Sequence, residues 1–202
     1  MPWFNTIKDV EPDVEIIYNE LGQKCTTGEY GSEGWEQVTY EKLEKIIQIF
    51  NDTTDKADYF VYSDVDIQFF KPITRLGEKA LLNHDIVFQN DYAGSQCTGF
   101  FYCRKTPQTL KLFEEALSVN CIHKDDQTSV QEVLKKTTNL RWALLPIEFF
   151  TFGMFHTQWG GQEKFQIPKN IAMHHANWVK GIPSKLKLLE VVRSNYNQKL
   201  FF

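Results

Sequence analysis

Residues 58–73 read "DYFVYSDVDIQFFKPI". Residues 59–62 are aromatic and β-branched, as a strand favours, and they run directly into Asp64 and Asp66 and then into the strand-like Ile67, Gln68, Phe69 and Phe70. Carboxylates at i and i+2 share one side of a continuing strand, and at a strand end they can converge on one cation. An unpaired buried carboxylate is costly unless a cation or hydrogen bonds compensate. With apolar residues on both flanks, a metal ion explains the pair better than a solvated strand end does. Oxygen ligands of this kind suit a hard divalent ion, magnesium or manganese.

Outward from this stretch, strands and helices alternate. Residues 14–18, "VEIIY", predict a short buried strand, and residues 22–34, with four glycines, predict a loop. Tyr40, Leu43, Ile46, Ile47 and Phe50 recur at helical spacing, with Thr39 as N-cap and Lys42 and Lys45 on the other face. Pro72 precedes a short helix, and "DIVFQND" and "CTGFFYCRK" predict two further strands. "TPQTLKLFEEALSV" predicts a helix capped by Thr106 with Pro107 at its first position, and "DDQTSVQEVLKKT" another capped by Asp125. The last fifty residues are aromatic, Gly-rich and His-rich, and read as less regular. The alternation predicts a single α/β domain built on a mixed, mostly parallel sheet flanked by helices, with ligands at the carboxyl ends of the strands.

The chain has 202 residues, 42% of them hydrophobic and 14% aromatic, which fits one folded domain. A formal charge of −4 supplies no basic field for a polyanion, so a nucleic-acid partner is not expected. Cys25, Cys97, Cys103 and Cys121 show neither zinc-site spacing nor the density of a disulfide scaffold. No apolar run approaches the ~20 residues of a membrane span. Reduced thiols and a cytoplasmic location are therefore expected, with a luminal domain of a Golgi enzyme as the alternative.

Three further stretches carry chemistry. In "HHANWVKGIPSK", residues 174–185, a histidine can complete a site with the aspartates, and Lys180 and Lys185 can meet a diphosphate. In "DDQT", Asp125 reads as a cap, which leaves Asp126 and Gln127 in a first turn, free to project into a cleft. Gly99 in "GFFYC" allows close backbone approach but also fits a plain bulge.

In order, "YSDVD", "CTGFFYCRKTPQTLKLFEEAL", "DDQTSV", "LLPIEFF" and "HHANWVKGIPSK" resemble the nucleotide-diphospho-sugar transferases of the GT-A, Rossmann-like fold, over roughly residues 36–190. The resemblance implies one glycosyltransferase domain, with its nucleotide- and metal-binding part at about residues 1–105 and its acceptor side at about 106–202. It implies that Asp64, Asp66 and His175 hold manganese or magnesium, with His174 an alternative to His175. Lys185, Gly181 and Asn177 are implied at the donor, Asp126 and Gln127 at the donor sugar, and Asp58 near the nucleotide base. The implied partners are a nucleotide-sugar donor, with uridine favoured over guanosine, and a carbohydrate or glycoprotein acceptor. Asp126, Asp91 and Glu148 are candidates for a base at the acceptor, and retention and inversion stay open. Trp159, Gly160, Gly161 and Trp178 are candidates to line a sugar ring. Two other readings are a phosphohydrolase of the haloacid dehalogenase type, against which Gln68 stands where Thr or Val belongs, and a non-catalytic nucleotide-sugar binder.

Overall fold

Two mixed sheets meet at the aspartate pair. The structure, a computed structural model, describes residues 3–18, 22, 24–52, 54 and 56–202, with the side chains of residues 3 and 4 excepted. A 3-10 turn at Trp3–Thr6 leads into α1 (Ile7–Val10), followed by α2 (Trp35–Asn51), β1 (Tyr59–Ser63), β2 (Ile67–Phe69), α3 (Thr74–Leu81), β3 (Ile86–Asn90) and β4 (Gln96–Arg104). Then come α4 (Pro107–His123), α5 (Asp126–Lys136), β5 (Trp142–Leu144), β6 (Phe149–Thr151), β7 (Met173–His175) and α6 (Ile182–Asn197). The first sheet has the order β1-β4-β3-β5 and the second β2-β7-β6.

β4 is the spine because it is apolar on both faces. Phe101 and Cys103 face a core made with Leu43 and Ile46 of α2, Phe113 of α4 and Val130 of α5. Phe100 and Tyr102 face a second core with Ile67, Phe69, Leu81 and Phe149. Phe101 is fully buried, stacked on Tyr62 at 5.2 Å and on Phe113 at 5.5 Å between ring centroids. Truncating it to Ala is expected to cost about 3–5 kcal/mol. A third core, including Phe150, Ile171, Leu188 and Val192, seats α6 against the second sheet.

The helices at 107–123 and 126–136 form as their caps predict. Thr106 accepts from the Thr109 amide with Pro107 in the first turn, and Asp125 accepts from the Thr128 amide. Four expectations are corrected. Three of the five strand pairings are antiparallel rather than most being parallel, because β3 returns into β4 through a short turn and lacks the long crossover that a parallel neighbour needs. Residues 14–18 form no strand: they join neither sheet, and Ile17 and Tyr18 are exposed. Helix α2 starts a turn early, with Gly34 as N-cap, so Thr39 is a buried interior residue that accepts a hydrogen bond from Asn120. The last fifty residues are more regular than they read, since α6 spans sixteen of them.

β1, β3 and β5 run in one direction, so Asp64 and Asp91 both leave carboxyl ends at the same edge of the first sheet, and β4 enters there with Gln96, Cys97 and Thr98. The last residue of β7, His175, pairs with Ile67, which places it directly beside Asp66. Among the described residues no helix is long and apolar enough to cross a membrane, and Cys97, Cys103 and Cys121 are free thiols.

Candidate functional site

Asp64, Asp66 and His175 each offer a ligand atom, and these atoms lie within 4.8 Å of one another. That spacing suits one small divalent ion, whose bonds to oxygen of ~2.1 Å put opposite ligands about 4.2 Å apart. Two carboxylates and an imidazole match the donors that manganese accepts, and magnesium is satisfied by the oxygens. The residues present therefore fit an ion.

Strand alternation decides which histidine faces the aspartates. His174 and His175 point to opposite faces of β7. His174 lies under Phe150, within 3.4 Å of the Gln68 amide, and burial lowers its pKa to about 3. His175 faces the aspartates, with Nε2 3.3 Å from Asp66 Oδ1. Its orientation comes from Gln89, whose amide nitrogen donates to the carbonyls of Phe149 and Phe150 and whose oxygen therefore accepts from His175 Nδ1 at 3.0 Å. With Nδ1 so engaged, Nε2 is directed at the carboxylates, a common way of aiming a metal-binding imidazole. Burial opposes the imidazolium, yet the Asp66 carboxylate outweighs it and lifts His175 to about 10.

The two aspartates are held differently. Burial opposes the charge on Asp66, but Lys185 Nζ at 2.5 Å and His175 keep its carboxyl far below the usual range. Asp64 accepts from the Tyr62 hydroxyl at 2.9 Å, its backbone amide donates to the Gly99 carbonyl at 2.8 Å, and Lys42 Nζ lies 3.3 Å away. Lys42 reaches in from α2 and also pairs with Asp126 at 2.8 Å, where the Thr98 hydroxyl donates at 2.6 Å. Burial works against the Lys42 ammonium, but Asp126 and Asp64 raise its pKa well above the usual value.

Gly99 has a steric reason here. A Cβ at this position would lie 2.3 Å from His175 Cε1 and 2.8 Å from an Asp64 oxygen, so only glycine lets these two side chains approach.

Helix α5 points Asp126 and Gln127 at different partners: Asp126 at Lys42, and Gln127 Nε2 at Asp91 Oδ2, 3.2 Å away. Asn177 and Trp178 also donate to Asp91, at 3.2 and 2.6 Å. Gly181, at φ 77°, is the N-cap of α6, and Lys185 in the first turn reaches back to Asp66. Lys180 is exposed. Trp159 donates from its indole to the Gln162 carbonyl and packs on the third core, and Gly160 and Gly161 lie on the exposed loop beside it.

Two candidates fall outside this assembly. Asp58 is exposed at the start of β1, where its carbonyl accepts from the Lys105 amide; the five-residue strand separates it from Asp64 by roughly 17–20 Å. Glu148 precedes β6, whose other end pairs with His175, so it lies at the far end of that strand. The sequence reading missed Lys42, Gln89, Thr98 and Tyr62. Only Lys42 carried a signal, as a lysine beside the apolar stripe of α2.

This α/β fold gathers two carboxylates and an imidazole that could hold a metal ion, with two lysines beside them, at the carboxyl ends of its strands. A family model described as nucleotide-diphospho-sugar transferase matches residues 4–189, and the chain belongs to that family. A search of curated proteins finds no match. With this family the phosphohydrolase reading is set aside.

Proposed function

We propose that the protein is a metal-dependent glycosyltransferase that moves a sugar from a nucleoside-diphosphate sugar, uridine favoured and guanosine the alternative, to a glycan or protein-linked acceptor. The observation that carries this reading is the convergence of Asp64, Asp66 and His175 within reach of one ion. A bound manganese or magnesium ion supplies positive charge against the phosphate that departs. Lys185 is the residue for the diphosphate: it already meets a carboxylate oxygen, and it stands in the first turn of α6, where backbone amides favour an anion. Gly181 lets the chain approach the donor closely, and Asn177 lines the path between them. Lys42 ties Asp64 to Asp126, so the metal ligand and the residue proposed at the donor sugar are fixed together. Residues of about 1–105 contribute the aspartate pair, and those of about 106–202 contribute the acceptor side together with His175 and Lys185.

Calorimetric titration with uridine and guanosine diphosphates, with manganese and with a chelator, followed by a donor-hydrolysis assay on the nucleotide that binds, tests the proposal. Cation-dependent binding with slow sugar release supports it. Binding without turnover reduces the protein to a nucleotide-sugar binder, and binding indifferent to the chelator contradicts the metal role.

A further inference from the structure

Beside the metal cluster stands a wall that the aspartate pair does not require. Asp91 is buried, and its carboxylate accepts from Gln127, Asn177 and the Trp178 indole, all of them neutral donors. Trp178 adopts φ 58°, a left-handed conformation unusual for a bulky residue. Its indole is fixed by the 2.6 Å bond to Asp91 and by Gly153, where a Cβ would lie 2.4 Å from the ring. Tyr92 lies over Trp178 with ring centroids 5.0 Å apart at 30°, and His156 meets Tyr92 edge-on at 5.0 Å. Tyr92 is 41% exposed, so this wall reaches solvent. Ala93 and His156 are also at positive φ, so three of the five such non-glycine residues among those described gather at this wall, and strain of this kind concentrates at ligand sites.

The chemistry of the wall separates it from the phosphate side. The Asp91 charge meets no cation in its hydrogen bonds, so it disfavours a phosphate, whereas Lys185 and Lys42 stand by Asp66 and Asp64. Asn177 Oδ1 is buried without a hydrogen-bond partner, an acceptor suited to a hydroxyl. An aromatic face edged by fixed polar groups suits the C–H face and hydroxyls of a neutral sugar ring. The wall adjoins the metal cluster, since Asn177 is two residues past His175 and Gln127 follows Asp126.

We propose that Tyr92 and Trp178, with Asn177 beside them, form the acceptor subsite and take a neutral pyranoside against the exposed part of Tyr92. This rests on the transferase reading above, and the test separates the two. Saturation-transfer NMR of methyl α-mannopyranoside, methyl β-galactopyranoside and lactose is recorded on the protein with uridine diphosphate and magnesium, for the native chain, Tyr92→Phe and Tyr92→Ala. Nucleotide affinity is measured in parallel by calorimetry, and folding by circular dichroism. The expected result is ring-proton contact in the native chain and in Tyr92→Phe, an affinity at least about tenfold weaker in Tyr92→Ala, and nucleotide affinity within about twofold throughout. Undiminished contact in Tyr92→Ala overturns the proposal, as does the lack of any pyranoside contact in the native chain. Tyr92-dependent sugar contact without any nucleotide binding upholds the subsite and sinks the transferase reading instead.

Discussion

Asp64 and Asp66 are two residues apart and belong to different halves of the molecule. Asp64 closes β1 of the first sheet and is held by Tyr62, Gly99 and Lys42, all from the first 104 residues. Asp66 opens the second sheet and is held by His175 and Lys185, from β7 and α6. Asp64 is 31% exposed at its side chain and shares Lys42 with Asp126, while Asp66 is 14% exposed and is the carboxylate that pairs with both cationic groups beside it. The pair thus spans the seam between the sheets. On the proposed reading metal binding needs both residues, whereas their different partners predict unequal effects on stability.

The largest effect is expected from Asp66→Ala. It strands Lys185 and His175 in a mostly buried site, so chemical denaturation with chelator present is expected to show a loss of about 3–5 kcal/mol, along with the loss of manganese binding. A stability equal to that of the parent would break the comparison. Gly99→Ala attacks the seam from β4: its Cβ collides with His175 and Asp64, with an expected cost of about 1–3 kcal/mol and a matching loss of metal affinity. Asp64→Asn sharpens the contrast, because Lys42 keeps Asp126; manganese-dependent nucleotide binding should vanish in calorimetry while stability falls by only about 1 kcal/mol.

The smallest effect is expected away from the site, at the start of β3. Asp85 accepts two hydrogen bonds from the Arg141 guanidinium, which hold its carboxyl below its ordinary range. A lowered folded pKa gives stability that is full above the unfolded value of about 3.9 and is lost as the pH falls below it. Asp85→Asn is therefore expected to flatten the acid limb of the stability curve slightly and to leave nucleotide binding intact.

Much of this was legible in the sequence. Thr106 with Pro107, and Asp125 two residues before Gln127, announce helix starts because caps act locally. The aspartate pair announces itself through the apolar residues around it. What stayed hidden depends on which chain segment covers which. "VEIIY" has strand composition, but a strand needs a partner edge, and this stretch joins neither sheet. Lys42 sits on the polar side of an amphipathic helix, where periodicity predicts solvent; instead Asp64 and Asp126 close over it and leave its side chain 12% exposed. Gln89 gives no signal at all, because its value lies in aiming an imidazole 86 positions away. The choice between His174 and His175 became readable only once β7 was paired with β2. Asp58 lies a strand's length from Asp64, as the five residues between them already imply.

The central claim is that Asp64, Asp66 and His175 hold one divalent ion across the seam. Titration of the protein with manganese, with the free ion followed by its room-temperature electron paramagnetic resonance signal, tests it most directly. The account predicts one bound ion per native chain, with binding lost in Asp64→Asn while the variant stays folded. Binding of the same stoichiometry and strength in Asp64→Asn would contradict it.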